Sequence, residues 1–171
     1  PHKKMFWRSA AKPFQAVGHV ADFIAINLLQ QLGGIRIAHF RETTGEVPRK
    51  ISTPNHFAYL KIAEGCRKRC AYCVIPTIKG PLRSKTTEQV LKEFNLLLDQ
   101  GIKEIILIAQ DLGDFAKDRG AKRSQGLEEL LKEILKIDRP YWLRLLYLYP
   151  DEISDELIAI MKSDARICPY L

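Results

Sequence analysis

Three of the four cysteines fall within eight residues, Cys66, Cys70 and Cys73, in the order C-x3-C-x2-C. Thiolates are soft ligands that suit zinc and iron–sulfur centres. A four-iron cubane normally takes four cysteines. Three would leave one iron open to a substrate or cofactor, much as a catalytic zinc keeps one position free. A loop this short lets three sulfurs converge on one cluster. Arg67, Lys68 and Arg69 stand between the first two cysteines, and their charge is expected to favour thiolate over thiol and to offset an anionic cluster. Two other chemistries compete. A structural zinc takes four ligands, commonly as two separated pairs; a fourth here would be Cys168 or a histidine, and there is no second C-x-x-C. Cys70-Ala-Tyr-Cys73 by itself reads as a redox pair but leaves Cys66 without a role.

The elements that must hold this triplet read as alternating strands and helices. Phe57 to Ala63 (FAYLKIA) is expected to be a strand running straight into Cys66. A loop with Pro76, Gly80 and Pro81 follows. A helix begins near Thr86, where Thr86 and Gln89 match a capping box. Its apolar face is Val90, Leu91, Phe94, Leu97 and Leu98, and Gly101 takes the C-terminal cap position. Ile105 to Ala109 (IILIA) is a continuous apolar run that suits a strand buried on both faces, with Gln110 and Asp111 at its end. Leu127, Leu130, Leu131, Ile134 and Leu135 mark a second helix, and Trp142 to Leu148 (WLRLLYL) the next strand. A third helix covers Ser154 to Met161, and a fourth strand begins at Ile167. This β-α-β-α-β-α-β order predicts an α/β fold with parallel strands and right-handed crossovers. The working residues of such folds gather where strands end, which is where the triplet stands. Residues 1–45 predict one helix (Val17, Val20, Ile24, Leu28, Leu32) stopped by Gly33-Gly34. Lys3, Lys4 and Arg8 beside Phe6 and Trp7 read as a solvated terminus, with nucleic-acid contact the alternative.

A chain of 171 residues suits one domain with a sizeable core. It has no apolar run long enough to span a bilayer and no secretory signal, so the expected location is the cytoplasm. A secreted disulfide scaffold would spread its cysteines along the chain. The net charge of +7 points to an acidic partner such as nucleic acid or the ribosome, or to a basic but inert surface.

The triplet with an aromatic, Tyr72, before its last cysteine resembles the radical S-adenosylmethionine superfamily. The string YLKIAEGCRKRCAYCVIPTIKG is similar to the methylthiotransferases within it, over about Gly45 to Leu171. IILIAQDLGD (Ile105–Asp114) and LRLLYLYP (Leu143–Pro150) resemble the RimO type, which methylthiolates an aspartate of a small-subunit ribosomal protein. The tRNA-modifying relatives usually carry Gly-Gln-Asn where this chain has Ala109-Gln110-Asp111, and a Ser-x-His-Pro-like string where it has Tyr147-Leu-Tyr-Pro150.

The resemblance implies a partial barrel of parallel strands and helices. It implies one [4Fe-4S] cluster on Cys66, Cys70 and Cys73, with S-adenosylmethionine on the open iron. One-electron cleavage of S-adenosylmethionine then starts hydrogen abstraction from the substrate, and a second S-adenosylmethionine supplies the methyl group. Tyr72 is implied near the adenine, Gln110 along the cofactor site, and Arg83 and Ser84 in a nearby loop. Arg144 meets either the cofactor carboxylate or a structural ion-pair partner. Cys168 reads as a buried core thiol. No catalytic residue is singled out. The implied partners are a ribosomal small-subunit protein or the ribosome and an electron donor, with no membrane and nucleic acid involved only indirectly. The family's N-terminal domain carries a second three-cysteine cluster, and no cysteine precedes Cys66 here. The family's C-terminal TRAM-like β-barrel and its last barrel strands are also expected to be missing, so the chain alone is expected to fall short of the complete reaction. Two other readings remain: a tRNA adenosine methylthiotransferase, and a zinc-stabilised ribosome-binding module without catalysis.

Overall fold

The computed structural model describes Ile51 and residues 53–171. The helix expected over residues 17–32 and the basic, aromatic N-terminus lie outside the described residues. Strands β1 (Phe57–Lys61), β4 (Glu104–Ile108) and β5 (Trp142–Leu146) form a three-stranded parallel sheet in the order β1-β4-β5. Helices α2 (Thr87–Asp99) and α3 (Gln125–Leu135) make the two crossovers, and α4 (Asp155–Ser163) follows β5. The alternation expected from the sequence is therefore present. Two-residue strands β2 (Ala63–Glu64) and β3 (Arg83–Ser84) pair antiparallel, and a short helix α1 (Ile75–Lys79) lies between them.

Local chemistry sets the helix boundaries. The Thr86 hydroxyl accepts from the Gln89 amide and the Gln89 side chain accepts from the Thr86 amide, so the expected capping box opens α2. Gly101 carries the positive φ of 83° that turns the chain out of the helix. Ser154 caps α4 by accepting from the Leu157 amide.

Strand register sorts the sheet into two faces. Ala58, Ile105 and Leu143 are aligned across it, as are Leu60, Leu107 and Leu145. These residues are buried in one cluster with Val90, Phe94, Leu127, Leu131 and Leu157 from the helices. Side chains alternate along a strand, so Tyr59, Ile106 and Arg144 share the opposite face with Glu104 and Trp142. That face is mostly half-buried, and Trp142 is exposed.

Three expected strands end sooner than their apolar runs. FAYLKIA breaks at Ile62. The Ile62 amide donates to Ile108 O while its carbonyl accepts from the Lys85 amide, so the chain leaves the parallel sheet there and joins β3. WLRLLYL stops at Leu146 because Tyr147 adopts φ 72°. The expected fourth strand is a single parallel bridge, Leu143 to Ile167. Cys168 is buried, as its reading as a core thiol requires. Among the described residues no helix is long and apolar enough to cross a membrane.

Candidate metal centre

The three cysteines lie past the C-terminal end of β1, on a stretch with no helix or strand between Glu64 and Ile75. Gly65 makes the entry possible. It has φ +71°, and a Cβ there would lie 2.1 Å from Pro81 O. The Cys66 amide donates to Gly80 O (3.2 Å), tying the entry to the exit of the loop. The Cys73 amide donates to Cys70 O (3.0 Å), which makes a tight turn between the second and third cysteines. The Lys68 amide points at Cys66 Sγ (3.4 Å). All three cysteines are free and partly exposed.

The donor set fits an iron–sulfur cluster better than one zinc ion. Sulfurs around a single zinc sit about 3.8 Å apart, given Zn–S bonds near 2.3 Å. Among the described residues the trio with ligand atoms all within 4.8 Å of one another is Asp111, Asp114 and Glu152, and not the three cysteines. The sulfurs are thus spread more widely than a mononuclear site needs, while Cys66 and Cys73 remain close enough to interact electrostatically.

The side chains of the basic neighbours do not point their charge at Cys66. Burial pushes the Cys66 thiol above its ordinary value, and Asp114, Asp111 and Cys73 push the same way against the Lys68 amide. Arg67 and Arg69 are exposed, and the Lys68 ammonium is turned away to carboxylates.

Beneath the loop lies a buried charge network. Lys68 Nζ is 2.9 Å from Asp111 Oδ2, 3.3 Å from Glu152 Oε1 and 3.4 Å from Asp151 Oδ1, and it stands 4.1 Å from the Tyr149 ring centroid. Lys117 Nζ is 2.9 Å from Asp114 Oδ1 and 2.5 Å from Glu152 Oε2. Asp111, Asp114 and Glu152 are all more than nine-tenths buried. Burial works against the Lys68 charge, but the Asp111 carboxylate outweighs it and holds the ammonium above its usual range. The sequence reading missed this network. Its trace in the sequence is two acids, Asp111 and Asp114, directly after the most apolar strand.

The other expected site residues are placed as follows. Tyr72 is 87% exposed beside Cys70, whose charge, followed by that of Tyr149, raises its phenol. Gln110 is half-buried two residues past β4. The Ser84 hydroxyl accepts from the Ala116 amide (2.9 Å), and the Ser84 amide donates to Asp118 Oδ2 (2.8 Å), so Ser84 braces the loop after β4. Its neighbour Arg83 is exposed. Arg144 Nε lies 2.7 Å from Glu104 Oε1, the structural ion pair that was one of its two readings. Tyr72, Gln110 and the cysteines thus gather at the C-terminal ends of the strands, while Arg144 sits mid-strand on the open face.

The model of the radical SAM superfamily matches residues 60–165. Over 127 residues, 74% of this chain, the sequence is 76% identical to the ribosomal protein uS12 methylthiotransferase RimO of Protochlamydia amoebophila (strain UWE25). The RimO of Chlamydia caviae is 65% identical over the same length, and that of Clostridioides difficile is 45% identical over 125 residues. The chain spans only 27–28% of the length of these relatives. Among solved structures, the radical S-adenosylmethionine methyltransferase TsrM of Kitasatospora setae, bound to tryptophan and a SAM analogue, aligns with a TM-score of 0.51 at 19% identity. That alignment covers 67% of this chain and 23% of TsrM, and it speaks to the fold alone. With the family model spanning the cysteine loop and the strands that carry it, the chain belongs to the radical SAM superfamily.

Proposed function

We propose that this chain is the cluster-bearing part of a methylthiotransferase that adds a methylthio group to the β-carbon of an aspartate in ribosomal protein uS12. The observation that carries this reading is the 76% identity over 127 residues, 74% of this chain, to a RimO. The bound cluster and S-adenosylmethionine would supply one-electron chemistry able to attack an unactivated carbon. Cys66, Cys70 and Cys73 would hold the cluster, leaving one iron for the cofactor. Tyr72 offers an open aromatic face beside Cys70 for the adenine. Gln110 would line the cofactor site from the end of β4. Ser84 and Arg83 would shape its rim, Ser84 through the loop it braces. Arg144 would reach the cofactor carboxylate only by giving up Glu104. The enzyme would work in the cytoplasm with a separate electron donor.

Two measurements test the reading. The full chain is reconstituted with iron and sulfide without oxygen and reduced, and its electron paramagnetic resonance spectrum is recorded with and without S-adenosylmethionine. A cluster signal that shifts with the cofactor and is lost in Cys70→Ala is expected; a colourless protein holding zinc would overturn the cluster assignment. Mass spectrometry of uS12 and of tRNA from a strain lacking the gene identifies the substrate. The uS12 mark is expected to disappear, and loss of a tRNA mark with uS12 unchanged would overturn the substrate.

A further inference from the structure

Lys68 differs from the two arginines beside it. Arg67 and Arg69 are exposed, whereas the Lys68 side chain is only 19% exposed and folds back under the loop. Its ammonium fills a cradle built by segments far along the chain: Asp111 after β4, and Tyr149, Asp151 and Glu152 after β5. The cradle is too acidic to stand without it. Three buried carboxylates share two lysines, Lys68 and Lys117. Removing Lys68 leaves Asp111 with no cation and the trio with one, and uncompensated buried charge is strongly unfavourable. Both ammoniums lie directly against the trio, Lys68 at Asp111 and Glu152 and Lys117 at Asp114 and Glu152.

The fit is close. A Cβ on Gly113 would lie 2.3 Å from Glu152 Cβ, so the absence of a side chain there lets Glu152 reach both lysines. Asp111 Oδ1 accepts from the Gly113 amide (3.0 Å) and the Tyr149 amide (3.3 Å), which aims Oδ2 at Lys68. From the same residue, the Lys68 amide points at Cys66 Sγ. Side chain and backbone of one residue thus link the cradle to the first cysteine.

We propose that Lys68 is a positioning residue: by docking in the Asp111–Glu152 cradle it presets the cysteine loop in the absence of metal and slows loss of the cluster once bound. The second half rests on the cysteines being the cluster ligands; the first does not.

The test uses the full chain and the variants Lys68→Met, Lys68→Arg and Asp111→Asn. Hydrogen–deuterium exchange of residues 66–74 is measured in the iron-free protein, and loss of iron to a chelator in the reconstituted one. Lys68→Met is expected to speed both by about tenfold or more, with α2 and α3 exchanging as before. Lys68→Arg, which keeps the charge, restores most of each. Asp111→Asn keeps the Oδ1 acceptor and the cysteine loop sequence intact. It is expected to loosen the loop in the same way and serves if Lys68→Met does not fold. Wild-type exchange in Lys68→Met or Asp111→Asn overturns the proposal, as does faster exchange with unchanged iron retention. A wild-type protein that never takes up iron would sink the cluster assignment instead, with the metal-free exchange result still standing.

Discussion

The cysteine loop and the α/β layer beneath it are held by different forces. In the layer, Leu60, Phe94, Ile105, Leu107, Leu127 and Leu145 are completely buried. Each such side chain contributes roughly 1.5–3 kcal/mol by leaving water. The loop from Gly65 to Val74 has no helix or strand of its own. It keeps its path through one positive-φ glycine, two close backbone bonds and the Lys68 ion pairs. Apolar burial is non-directional and shared among many residues, so the layer fails as a unit. Ion pairs and a positive-φ glycine are specific, so the loop can fail while the layer stands.

The largest effect should come from the layer. Phe94→Ala removes a completely buried ring that meets Tyr141 edge-on, with centroids 5.0 Å apart. It should cost about 3–5 kcal/mol, read as an earlier urea midpoint at which loop and layer are lost together. A loop that survived past that midpoint would break the comparison.

Gly65→Ala should act next, and locally. The new Cβ meets Pro81 O and the residue keeps a φ that alanine adopts poorly, a strain of about 1–3 kcal/mol. Iron uptake should fall sharply while far-ultraviolet circular dichroism stays unchanged. Normal uptake would mean that the loop tolerates a different entry.

Arg144→Gln should have the smallest effect on stability. The Arg144–Glu104 pair is partly exposed to solvent, so its loss should cost no more than about 1 kcal/mol. The same variant sharpens the comparison if S-adenosylmethionine affinity is measured beside stability. A large loss of affinity with stability intact would assign Arg144 to the cofactor and not to the sheet.

Much of the layer can be read directly from residue order. The Thr86–Gln89 box, the turn at Gly101 and the cap at Ser154 are local signals, satisfied within a few residues. Where runs were read too long, a distant partner had intervened. Ile62 leaves its strand because it bonds to Ile108 and Lys85, and the Leu112 amide holds the carbonyl of Tyr147, where β5 has ended. Apolar pattern alone does not show such a change of partner.

The site divides in the same way. The spacing of Cys66, Cys70 and Cys73 and the aromatic at Tyr72 are sequence facts. The basic run around Cys66 shows another side of this, since charge sign is visible in a sequence but direction is not. Arg67 and Arg69 face solvent, and Lys68 pairs with acids as far as 84 positions away. Residue types and spacing by themselves determined the alternating elements and the cysteine triplet, because those depend on neighbours along the chain. Only the tertiary structure decided where Lys68 goes, because a buried ammonium is held by whichever carboxylates the fold brings around it.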